Sequence, residues 1–137
     1  MRAVGPLLVA VAATACSGAG AGLRSGPDAP CDEGWAHTTV LLGRALDAYL
    51  EGMRRFAAAR DGASTAPSEA RARTRAAEWE AAHREEFGRT CRAWPPESLR
   101  CVAEAESALA LHGCGLEQLV TSFTDEVVTT FAASPLH

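Results

Sequence analysis

The sequence predicts an all-α fold: a small, disulfide-stapled bundle of four or five short helices. Three observations predict it. Apolar residues recur three and four positions apart through most of the chain beyond residue 35. Gly62, Pro67 and the pair Pro95-Pro96 cut that pattern into helix-sized pieces. Four cysteines, Cys31, Cys91, Cys101 and Cys114, fall near the ends of those pieces, where covalent ties hold a bundle together. The chain has 137 residues, enough for one small domain once an export signal is set aside. A core of that size is modest, so covalent support is useful.

The first helix is expected over residues 35–60. Leu42, Leu46, Tyr49, Met53 and Phe56 form one apolar face, with Ala45, Leu50 and Ala57 beside it. Asp47 and Glu51 are like charges four apart, so charge pairing within the helix is not what holds it. Asp61-Gly62 ends the helix and Ser64-Thr65-Ala66-Pro67 forms a turn. The second helix is expected over 67–91, with Pro67 in its first turn and Glu69 near its positive end. Its inward face is Ala72, Ala76, Trp79, His83 and Phe87, in which the alanines permit close approach and the rings supply most of the burial. A short loop makes the two helices antiparallel neighbours.

Pro95-Pro96 breaks the chain again, and a third helix is expected from Glu97 to Glu106. Ser107 suits the cap of a following segment, while Gly113 and Gly115 loosen the helix around Cys114. Leu116, Val120, Phe123, Val127 and Phe131 then restore a helical period, and Pro135 ends the structure. The run Val127-Val128-Thr129-Thr130 favours a strand locally, but the wider period is helical.

Four cysteines allow three pairings. A straight helix through 97–114 would hold Cys101 and Cys114 about 20 Å apart along its axis, far beyond the ~7 Å that a disulfide spans between Cα atoms. A reversal at Glu106-Ser107 brings them side by side. Antiparallel first and second helices bring Cys91 to Cys31. This geometry favours Cys31–Cys91 with Cys101–Cys114; the competing pairing is Cys91–Cys101 across the Pro-Pro turn, with Cys31–Cys114.

The N-terminus carries a different signal. In MRAVGPLLVAVAATA, one positive charge at Arg2 precedes a short apolar run and then small residues, the pattern of a secretory signal over 1–15. The apolar run is far shorter than the ~20 residues that cross a bilayer. Ala13-Thr14-Ala15-Cys16 resembles a bacterial lipobox, with Ala13 standing where Leu is usual. Ordinary signal cleavage after Ala15 is the alternative. Five cysteines are odd for an exported chain, and lipid on Cys16 leaves four to pair. Two acyl signals then suffice for stable attachment. Residues 16–30 are rich in Gly, Ala, Ser and Pro and read as a disordered, lipidated tether, reaching at most ~50 Å when extended. The helical disulfide-linked domain is expected over 31–134. Ser17 after the Cys points to the outer membrane in a Gram-negative host, facing either the periplasm or the cell surface.

The segment Cys91-x2-Trp94-x6-Cys101-x12-Cys114, with Glu97 after the Trp, resembles a pattern in small lipoproteins of myxobacteria. The likeness covers about 24 residues and the signal architecture, and departs from the pattern at Pro95-Pro96. It implies a lipid anchor and a helical body, and brings no established activity.

Other chemistry finds little footing. The net charge of -4 with interspersed charges excludes a typical nucleic-acid binder. Lys, Asn and Ile are absent; all three have AT-rich codons, so a GC-rich genome accounts for the all-Arg cations. Glu80-x-x-His83 matches one unit of a di-iron bundle, but no second copy exists. His83 is expected half-buried and paired to Glu80 or Glu86. His37, His112 and His137 are expected at the surface. The cysteines lack the paired short spacings of a zinc site, and no haem, redox or phosphate-loop motif is present. No catalytic, cofactor or metal residues are assigned. Trp35 and Trp94 are expected to pack on the Cys31–Cys91 bond as a satellite core, with an exposed aromatic binding patch as the alternative. The sequence therefore points to a non-enzymatic cell-envelope lipoprotein with a structural or binding role. It would be held to the membrane by lipid and would meet an envelope protein or ligand whose identity the sequence does not carry. A periplasmic helical chaperone or stress-sensor-like protein is the alternative.

Overall fold

Helices account for most of the computed structural model, which describes residues 26–132. The signal segment, Cys16 and most of the tether lie outside the described residues, as do Pro135 and His137. Helix α1, Ala29–Arg60, is longer than the periodicity predicts and is not a short helix. It takes in the last two residues assigned to the tether, because Pro30 suits the first helical turn and Asp32 faces the positive end of the helix. At the other end Gly62 takes φ 67 and its N–H donates to the Ala57 carbonyl, closing the last turn. Helix α2, Ala66–Cys91, runs back along α1. Antiparallel packing is fixed at both ends: Cys31 is bonded to Cys91, and Arg54 pairs with Glu69 at 2.8 Å.

Helix α3, Pro96–Glu104, starts where Pro96 forces Pro95 into an extended conformation, the backbone an N-cap requires. It ends two residues before the predicted Glu106, because Ala105 is already extended at ψ 134. The Ser107 hydroxyl accepts from the Ala110 N–H at 3.1 Å and opens the fourth helical segment. That segment comprises α4 (Ala108–Leu111), a wide turn His112–Leu116, α5 (Glu117–Phe123), a second wide turn Thr124–Val128 and α6 (Thr129–Ala132). Gly115, at φ 89, breaks the helical path inside the first wide turn. No strand forms at Val127–Thr130, where the helical period prevails over local propensity.

The core is built on rings. Trp79 is fully buried, stacked on Trp35 at 5.9 Å and met edge-on by Phe123 at 5.1 Å. Burying a side chain of this size contributes several kcal/mol, at about 25 cal/mol per Å² of apolar surface. Trp35 therefore belongs to the main core and not to a satellite around the disulfide. Leu116, Phe123, Val127 and Phe131 are buried along the face that the period predicts, and Phe131 meets Tyr49 of α1 edge-on. Phe56, placed inward by sequence, is 52% exposed with Arg60 over its ring.

Asp47 and Glu51 are each compensated. Asp47 pairs with Arg73 of α2 at 2.8 Å, and Glu51 with Arg54 and Arg55. These pairs are exposed and fix alignment more than they add stability.

Candidate functional site

Two disulfides frame the domain. Cys31–Cys91 ties the start of α1 to the end of α2 and is buried, with Cα atoms 5.8 Å apart. Cys101–Cys114 ties α3 to the wide turn beyond α4, with Cα atoms 5.6 Å apart and both residues half-buried. These are the pairs that antiparallel helices and a chain reversal favour. The sulfurs of these four described cysteines are thus engaged with one another and not available to a metal. Among the described residues, no group of three or more His, Cys, Asp or Glu side chains is placed to hold a metal ion. No described helix is long and apolar enough to cross a membrane.

A cleft of about 260 Å³ lies between the C-terminal half of α2, the corner at Trp94 and the start of α5. Three sequence features create it. Cys91 hands the chain into a tight turn, in which the Trp94 N–H donates to the Cys91 carbonyl at 3.0 Å. Pro95-Pro96 then sends α3 away from α2. On the far side, Gly115 redirects the chain so that Leu116 and Leu119 line the opposite wall.

Trp94 is half-buried, and its ring meets Phe87 at 5.4 Å with the planes 81° apart, so the two rings make an aromatic corner. Gln118 and Ser122 supply polar atoms from α5. The Ser122 hydroxyl accepts from Trp79 Nε1 at 3.0 Å and donates to the Glu126 carboxylate, which also pairs with Arg75. This network pins α5 and the second wide turn to α2.

His83 lies in the cleft wall and departs from its sequence assignment. Its partner is neither Glu80 nor Glu86. Its Nδ1 stands 2.8 Å from the Trp79 carbonyl oxygen, and its ring stacks on the Trp79 indole at 4.3 Å. A helix carbonyl one turn back is within easier reach than a flexible carboxylate, and the indole holds the ring in place. His37 is also not a free surface residue. Its Nε2 lies 2.7 Å from the Ala105 carbonyl, an acceptor that the end of α3 leaves without a helical donor. His112 is exposed, near Glu117.

No protein family, curated protein or solved structure matches the chain. A role for the protein therefore has to rest on its own geometry and cysteine pattern. Sequence reasoning singled out Trp94 and His83 but did not bring them together, and it missed Glu86, Leu119, Gln118 and Ser122 as lining residues. No local pattern marks them, because three separated segments contribute and the Gly115 kink decides how they meet.

Proposed function

We propose that the protein is a cell-envelope lipoprotein with a non-enzymatic, structural or binding role, held at the membrane by lipid on Cys16. The observation that carries this reading is the cysteine balance. The four cysteines of the domain are consumed in two disulfides. The fifth stands alone behind a signal-like N-terminus, at the position a lipobox reserves for the acceptor. The disulfides support an oxidising compartment, as an exported protein would meet. The likeness to small myxobacterial lipoproteins in the Cys91–Cys114 segment supports the same reading, and Ser17 favours the outer membrane of a Gram-negative host.

The test is the intact mass of the mature protein from its own membrane fraction, with and without reductant. The expected result is an N-terminus at Cys16 carrying acyl chains, and a gain of four hydrogens on reduction. A Cys16→Ala variant is expected in the soluble fraction. A mature N-terminus without lipid, or fewer than two disulfides, overturns the reading.

A further inference from the structure

We infer that the cleft between α2 and α5 is a binding site for a small organic cation: an ammonium group on a body of about one ring. The proposal gives the binding role its ligand class, and rests on that role for contact with envelope solutes.

Size comes first. At about 260 Å³ the cleft is smaller than the ~300–1,000 Å³ typical of drug-sized ligands. One ring with a short charged arm fits that space. Charge comes second. Glu86 is the one carboxylate among the described lining residues, and no Arg is among them. Arg supplies every basic side chain of this protein apart from its histidines. Glu86 is exposed on the last turns of α2, and it forms no ion pair among the described residues. Other exposed carboxylates, such as Glu85 and Glu97, form no ion pair among the described residues either; what sets Glu86 apart is its place in the cleft wall beside the aromatic corner.

The aromatic corner acts in the same direction. Trp94 and Phe87 stand nearly perpendicular, and the electron-rich face of an indole attracts a cation. Leu116 and Leu119 give the apolar body a surface to cover. The His83 tautomer adds an acceptor. A carbonyl only accepts, so the Nδ1 facing Trp79 carries the hydrogen. In the neutral ring this leaves Nε2 with a lone pair, which can receive an ammonium N–H. Carboxylate, π face and imidazole lone pair all favour a positive donor, and none favours an anion.

The test uses the full-length protein in detergent, titrated with phenethylammonium, the neutral 2-phenylethanol and the anionic 3-phenylpropanoate. Binding is read by calorimetry and by tryptophan fluorescence. Phenethylammonium is expected to bind tightest, and 3-phenylpropanoate weakest. Glu86→Gln is expected to weaken phenethylammonium about fivefold and Trp94→Leu about tenfold, while Glu97→Gln leaves it unchanged. The Glu86 side chain is exposed, so its variant keeps the question answerable if Trp94→Leu fails to fold. Equal affinity for the three probes, no binding of any, or an ammonium affinity indifferent to Glu86→Gln overturns the proposal. The outcome is separable from that of the anchor. Acyl chains on Cys16 without ammonium binding remove the site alone, and ammonium binding by an unlipidated chain removes the anchor alone.

Discussion

At the residue scale, a buried hydroxyl and a half-buried one carry opposite expectations. Thr38 is fully buried in α1, and its hydroxyl has no hydrogen-bond partner among the described residues. A buried unsatisfied hydroxyl costs about 1–3 kcal/mol, and Val has nearly the same shape. Thr38→Val is therefore expected to stabilise the domain by about 1 kcal/mol, seen as a higher denaturant midpoint at unchanged slope. A lower midpoint would mean that the hydroxyl is satisfied in solution. Ser122 is the reverse case. Its hydroxyl receives the indole N–H of Trp79, whose ring is wholly buried. Ser122→Ala strands that N–H in the core and is expected to cost about 1–3 kcal/mol in the same denaturation experiment. His37 shows the limit of residue-by-residue inference. Nothing local in His37-Thr38-Thr39 says that an imidazole will meet the carbonyl of Ala105, 68 positions away. Only the early end of α3 exposes that carbonyl.

At the element scale, glycines mark where a helix must bend and where it merely tolerates one. Gly115 sits at φ 89, a conformation that costs an L-residue about 1–2 kcal/mol. Gly52 lies inside α1, exposed, with nothing within 4 Å of an added Cβ. Alanine there improves helix propensity by about 0.5–1 kcal/mol. Gly115→Ala is expected to lower the thermal midpoint and Gly52→Ala to raise it; equal effects would deny the kink its structural role. The helices themselves were legible, because period is a property of the chain alone. Leu42, Leu46, Trp79, Phe87, Phe123 and Phe131 are all core residues. Phe56 was misplaced for a physical reason. Leu50 and Ala57, seven residues apart, share the buried side of α1. Phe56 is displaced from Ala57 by about 100° around the helix, so the stripe passes beside it. The cleft was not legible in the sequence. Its walls depend on the direction of the chain after Gly115, and a glycine announces freedom without announcing direction.

At the scale of the whole molecule, the two disulfides differ in what they hold and in what can reach them. Cys31–Cys91 closes a separation of 60 residues and joins the two long helices, and its residues are 6% and 1% exposed. Cys101–Cys114 closes a separation of 13 and is half-buried beside the kink. If a crosslink acts mainly on the unfolded chain, the larger loop contributes about 4 kcal/mol and the smaller about 3 kcal/mol. Reduction also requires a thiolate to reach a sulfur, which burial hinders. Both effects act in the same direction. Graded reductant, followed by alkylation and peptide mass analysis, is expected to open Cys101–Cys114 first, while Cys31–Cys91 persists until the bundle unfolds. The paired variant Cys31→Ala/Cys91→Ala should lose more stability than Cys101→Ala/Cys114→Ala. Opening of the buried bond first would mean that the ends of α1 and α2 separate more readily than the α3 hairpin. The order matters for the cleft, because Gly115 and Leu116 follow Cys114 directly in the chain. A protein reduced only at Cys101–Cys114 keeps the α1–α2 core but loses the tie that holds the turn leading into α5. Its ammonium affinity is expected to fall before its helical circular dichroism does, and simultaneous loss of both would make the cleft inseparable from the fold.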